Sequence, residues 1–107
     1  MATAIAEVRT KEEIERERSE GFVVAANWIR EHNCGDKVSV VAWGYRNGLP
    51  LIILDSVKAM KELLPGVTAE VKKDCNSTQY LVTVDGIDFQ ASKYGCSESP
   101  TNWTEVL

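Results

Sequence analysis

The sequence predicts an α+β fold of order αββαβββ: a mostly antiparallel sheet with a long N-terminal helix packed on one of its faces. Three observations carry this. A capping box opens a stretch of helical periodicity at Lys11. Two turn dipeptides, Asn47-Gly48 and Asp85-Gly86, each join two strand-like runs. A short capped apolar segment then separates the two groups of strands.

The first helix starts at Thr10, with Glu13 three residues on, so that each can satisfy a free backbone N–H of the first turn. On a helical wheel Ile14, Gly21, Phe22, Ala25, Trp28, Ile29 and His32 share one face. Lys11 to Glu20 is almost entirely charged and is expected to stand in water. Gly21 costs about 1 kcal/mol relative to alanine, so it marks either close packing or a kink. Asn33-Cys34-Gly35 closes the helix, where a left-handed residue is easily accommodated.

Lys37 to Tyr45 and Leu49 to Leu54 form the first hairpin. Both are apolar on both faces, which places them inside the sheet. Pro50 cannot donate to a ladder and implies that one side of its strand is unpaired near the start. Asp55-Ser56 caps a second helix lined by Val57, Met60, Leu63 and Leu64, which Pro65-Gly66 ends. A three-strand meander follows. A two-residue turn at Asp85-Gly86 pairs Val84 with Ile87, Val82 with Phe89 and Tyr80 with Ala91 on one face. Thr83, Asp88, Gln90 and Ser92 fall on the other.

The chain has 107 residues, which fits a single domain 1–107. Residues 1–9 and 97–107 show no period and are read as irregular tails. A chain of this size buries about two thirds of its unfolded surface, enough for one core without metals or disulfides. The net charge of −4 and pI near 5.0 argue against a phosphate-backbone partner and suit a basic protein surface. No basic residue precedes the N-terminal apolar stretch, so no signal peptide is read. The longest apolar run is strand-sized against the roughly 20 residues of a membrane helix. A cytoplasmic location is expected.

Particular residues suggest several chemistries. If the Asp85-Gly86 ladder runs on, Cys75 faces Cys96, which in a reducing cytosol reads as a pair of free thiols, with a redox switch or metal pair as the alternative. His32, Cys34, Cys75 and Cys96 supply the ligand types of a zinc site, but their spacing matches no ribbon or finger, so no metal and no cofactor is expected. His32 is the single histidine, and at the end of the helix core face it reads as a half-buried structural residue or helix cap. A nucleophile beside it would have to be Cys34 or Ser39, and no triad or phosphate-loop motif is present. Lys72, Lys73, Lys93, Arg46, Tyr45, Tyr80 and Tyr94 could make a basic–aromatic surface. Tyr80 is predicted inward and acidic residues interrupt the rest, so nucleic acid is not expected.

These readings leave a non-enzymatic protein–protein interaction domain, an inhibitor or regulator of one protein partner. Two surfaces are predicted to meet it: Glu12, Arg16 and Glu20 on the outer stripe of the first helix, and Glu70, Asp88, Gln90 and Trp103 on the polar face of the meander and tail. In size, charge and missing motifs the chain is similar to small acidic phage and mobile-element proteins that act by occlusion, such as inhibitors of host defence and immunity proteins. That likeness is one of bulk properties and rests on no residue. Two alternatives stand beside it. One is a ligand-binding or enzymatic pocket between the first helix and the Trp43–Tyr45 hairpin end, with His32 and Cys34 at its mouth. The other is a homodimer or larger homo-oligomer joined through exposed strands or Val23.

Overall fold

The fold is described from a computed structural model, which describes residues 10–44, 48–94 and 101–107. Helix α1 spans Lys11–Glu31, and a 3-10 turn, Gly35–Lys37, leads into strand β1, Val38–Trp43. Strand β2 (Pro50–Leu54), helix α2 (Val57–Leu63) and strands β3 (Thr68–Lys73), β4 (Ser77–Val84), β5 (Ile87–Tyr94) and β6 (Thr101–Val106) follow. The strands form one six-stranded sheet in the order β1-β2-β5-β4-β3-β6. Four of its pairings are antiparallel, and β2 with β5 is parallel.

Two expectations are corrected. The order is not αββαβββ: part of the segment read as an irregular C-terminal tail is strand β6, antiparallel to β3 from Thr68↔Val106 to Lys73↔Thr101. Residues 1–9 and 97–100 lie outside the described residues. The first hairpin is also not wholly interior, because β1 is an edge strand with Val40 and Val41 exposed. Strand β2 is interior as expected. Pro50 is its first residue, opposite Trp43, and the pairing with β5 starts one residue later at Leu51.

Of the local signals read from the sequence, the Thr10 half of the capping box, the Ser56 cap and the Asp85-Gly86 turn are seen, and Asn47 of the Asn47-Gly48 signal lies outside the described residues. The Thr10 hydroxyl accepts from Glu13 N at 3.1 Å, and the Ser56 hydroxyl accepts from Ala59 N at 3.0 Å. Asn33 ends α1 in the left-handed region at φ 49°. Asp85 and Gly86, at φ 53° and 73°, make the two-residue turn and fix the register Val84↔Ile87, Val82↔Phe89 and Tyr80↔Ala91.

Both helices cover the same sheet face. Ala25, Trp28, Met60 and Leu64 meet Ile52, Leu54, Val71, Val82, Ile87 and Phe89 in one core. The Trp28 ring stands edge-on to Phe89 at 4.7 Å between centroids and stacks on His32 at 3.8 Å. His32 is the C-cap of α1, one of the two readings given for it: its backbone N–H donates to Trp28 O at 3.0 Å, and its ring, exposed and not half-buried, lies on Trp28 with Nδ1 2.8 Å from the same oxygen. Within α1 the buried residues are Gly21, Ala25 and Trp28. The charged half before Gly21 buries none of its residues, as its composition requires.

Candidate functional site

The other face of the sheet carries no helix among the described residues. The pairings lay its residues out in rows across the strands. The longest row runs Val40, Ile53, Gln90, Leu81, Glu70, Thr104 and crosses all six strands. A second runs Ala42, Leu51, Asp88, Thr83, and a third Ser92, Gln79, Lys72, Asn102. This face is mixed and not purely polar: Leu51, Ile53 and Leu81 are half-buried on it, while Val40 and Val106 are exposed.

Where the first two rows meet, the sheet is hollowed into a concavity of about 400 Å³. Leu51, Leu81 and Gly44 line it together with Thr68, Glu70, Thr83, Asp88 and Gln90. Asp88 is 8 % exposed and accepts from the Thr83 hydroxyl at 2.5 Å. Gly44 N donates to Leu49 O at 2.8 Å, and a Cβ at Gly44 would also stand 2.8 Å from that oxygen, so the backbone approach there requires a glycine. Among the described residues, the lining holds two carboxylates and no lysine or arginine. Lys72 lies one row further along the same face.

Of the predicted partner-binding residues, Glu70, Asp88 and Gln90 come together in this concavity. Trp103 does not join them. It pairs with Val71, a core residue, so its side chain belongs to the helix-covered face at the β6 edge, where it is 37 % exposed. Glu12, Arg16 and Glu20 are exposed on α1, across the sheet from the concavity. The α1 stripe and the Glu70, Asp88 and Gln90 group are thus on opposite sides of the sheet, and the second predicted surface is itself split, with Trp103 on the helix side. Leu51, Leu81, Thr68 and Thr83 went unnoticed as site residues. Leu81 offered a signal, an apolar residue at an outward position of β4.

The remaining candidates are separated. Cys34 is buried at 1 % exposure and its thiol lies 3.7 Å from Ile29 O. Burial, helped by Asp36, pushes its pKa up, which opposes the thiolate needed for metal binding or attack. Cys75 is exposed in the β3–β4 connection, and the β4–β5 ladder reaches Ser77↔Tyr94, two residues short of Cys75 opposite Cys96. Cys96 lies outside the described residues. No group of three or more His, Cys, Asp or Glu among the described residues could hold a metal ion. Ser39 donates its hydroxyl to Asp55 at the irregularity in β1, and the ring nitrogen of His32 that has a partner faces Trp28 O. The pocket expected beside Trp43 is occupied by Gly21 packing on that ring, and Gly21 is three helical turns, about 16 Å, from His32.

The basic–aromatic set is likewise divided. Lys72 is on the open face, whereas Lys93 lies 5.7 Å over the ring of buried Tyr80 on the helix-covered face. Tyr45 and Arg46 lie outside the described residues. Burial and then the Glu105 carboxylate push the Tyr80 hydroxyl pKa up, and Glu105 also faces Lys61 at 3.6 Å. This polar corner pins β6 to β4 and α2. Among the described residues, no helix is long and apolar enough to cross a membrane. The chain matches no family model, no curated protein and no solved structure.

Proposed function

We propose that this protein is a non-enzymatic interaction domain that regulates or inhibits a protein partner by covering part of its surface, and that the open sheet face is the contact surface. The observation that supports this reading is the uncovered face itself. It spans six strands, exposes half-buried leucine and isoleucine side chains, and is hollowed at its centre. A sheet face of this kind is ordinarily solvated and polar or else covered. The groups lining the hollow suit recognition: threonine hydroxyls, an amide, two carboxylates and leucine side chains, with no histidine or thiol among the described residues.

The test is a tagged pull-down from the native cell, read by mass spectrometry for the wild-type chain and for Leu81→Glu. Stoichiometric capture of one protein by the wild type, lost in the variant, is the expected result. Equal capture by both would contradict the assignment of the face. Retention of a small molecule by the purified chain, with no protein captured, would favour a ligand-binding domain instead.

A further inference from the structure

Strand β1 forms one edge of the sheet, and the residues around that edge indicate what completes it. We infer that the chain forms a two-fold dimer in which β1 pairs antiparallel with β1 of a second copy, centred on Val41, while the two α1 helices meet alongside through Phe22, Ala26 and Ile29. This inference is independent of the open-face reading above.

The edge is built to accept a strand. Among the described residues β1 has β2 as its single neighbour. Pro50 carries no N–H, and one step away Gly44 N donates to Leu49 O at 2.8 Å, so Trp43↔Pro50 is a pair without mutual ladder bonds. The alternation of an antiparallel ladder then turns Ala42 toward β2 and points the N–H and C=O groups of Val41 and Trp43 outward. The register irregularity lies before Val40, so Val40 to Trp43 is regular. Edge strands are ordinarily guarded by charged side chains, lysine above all. No residue of β1 is charged, and Val40 and Val41 are exposed on its two faces.

Helix α1 points to a second copy as the occupant. Gly21 rests on Trp43 and Pro50, and the chain returns from α1 through Gly35–Lys37 to Val38, so α1 runs antiparallel to β1 over the β1–β2 pair. At about 100° per residue, Trp28 lies about 20° from Gly21 on one side and reaches Phe89 on β5, beyond β2. Ile29, Phe22 and Ala26 lie about 80°, 100° and 140° to the other side, toward the β1 edge. Phe22 and Ala26 are exposed and Ile29 is half-buried. Val41 is about 7 Å along β1 from Trp43, and about 7 Å along α1 from Gly21 brings the helix to Ala25 and Ala26. A two-fold axis through a Val41 pair therefore passes close to Ala26 and sets Phe22 against Ile29 of the second copy. The axis stands half a strand spacing, about 2.4 Å, outside β1, and α1 lies about 5 Å from it. The two helices are then about 10 Å apart, a packing distance, with a small residue where they come closest. Across the axis Val41 meets Val41, Ala42 meets Val40 and Trp43 meets Ser39, so no charges are opposed. An extended segment of another protein would satisfy the β1 backbone and leave the helix stripe in water, whereas a second copy covers both.

The test is sedimentation equilibrium of the full chain, with amide exchange followed by NMR. The mass is expected to rise with concentration from 11.9 kDa toward twice that value, and the Val41 and Trp43 amides to become protected as it does. Ala26→Glu places like charges at the axis, at an exposed helical position that glutamate fills without loss of fold. It should weaken dimerisation at least about tenfold and free the Val41 and Trp43 amides, while the Ala42 amide, bonded within the chain, stays slow. Val23→Glu, on the outward side of α1, should leave the dimer unchanged. A mass of 11.9 kDa at every concentration up to about 1 mM would overturn the inference. So would a dimer that Ala26→Glu leaves intact, or one in which the Val41 and Trp43 amides exchange freely. None of these results depends on capture of a partner, which tests the open face separately.

Discussion

Gly21 of α1 lies directly against the indole of Trp43: a Cβ at position 21 would stand 2.8 Å from Trp43 Cζ3 and 3.4 Å from Pro50 Cδ. The glycine is therefore a packing residue. It lets the helix backbone settle on the end of the β1–β2 hairpin, and α1 runs as one helix from Lys11 to Glu31 through it. Helix propensity alone says that alanine at this position should stabilise by about 1 kcal/mol. Overpacking against an indole costs about 1–3 kcal/mol and opposes it. Gly21→Ala should therefore lower stability, by about 1 kcal/mol net, in chemical denaturation. A gain in stability would show that the ring moves aside freely.

The turn that sets the open face's register is also exposed to a direct test. Gly86 holds φ 73° after Asp85 at 53°. Gly86→Ala should cost about 1–2 kcal/mol, because an L-side chain is strained in the left-handed region. Asp85→Asn should be nearly neutral, since asparagine accepts that conformation. Thermal melts of the two variants check both statements.

The two helix caps should differ although their geometry is alike. Ser56 caps α2, which buries Val57, Ala59 and Met60, so Ser56→Ala should lower global stability by about 1 kcal/mol. Thr10 caps the half of α1 that buries no residue. Thr10→Ala should instead let that half fray, with faster amide exchange from Ile14 to Glu20 and little change in the denaturation midpoint.

Asp74 should give the fold an acid-sensitive contribution. Its carboxylate accepts from the backbone N–H groups of Asn76 and Ser77, both at 2.9 Å, and these bonds hold its pKa below the ordinary value. A lowered folded-state pKa stabilises above the unfolded value, and the gain is lost as pH falls through the folded value. Asp74→Ala should thus be destabilised relative to the wild type at neutral pH. The gap should narrow on acidification below the ordinary aspartate range. Urea midpoints measured across that range give the answer, and a gap that widens toward acid would contradict it.

Much of the fold was legible because local signals agreed with one another. Asp85-Gly86 and the alternation on either side of it determine the β4–β5 register, and with it the side of the sheet on which Asp88 and Gln90 lie. Strand β6 was not legible for a physical reason. Its inward positions are Thr101, Trp103 and Glu105, and Glu105 is held there by Lys61 and Tyr80 from distant parts of the chain. An inward glutamate erases the apolar alternation by which a strand is recognised. The parallel pairing of β2 with β5 was hidden for a related reason, since no local pattern encodes a contact between Leu51 and Asp88. That pairing brings the leucine and the carboxylate together, so the concavity itself could not be read from the chain. Trp103 was misplaced by one face because its strand had no assigned register.

The most direct test of the account is to measure the partner's affinity for two variants of the purified chain, each confirmed as folded by its thermal midpoint. Leu81→Arg alters the centre of the open face, and the triple reversal Glu12→Lys, Arg16→Glu, Glu20→Lys alters the outer stripe of α1 on the opposite side. The account predicts that Leu81→Arg weakens binding at least about tenfold, some 1.4 kcal/mol, while the helix variant binds as the wild type does. Loss of binding in the helix variant, with Leu81→Arg unaffected, would contradict it and move the contact surface to α1.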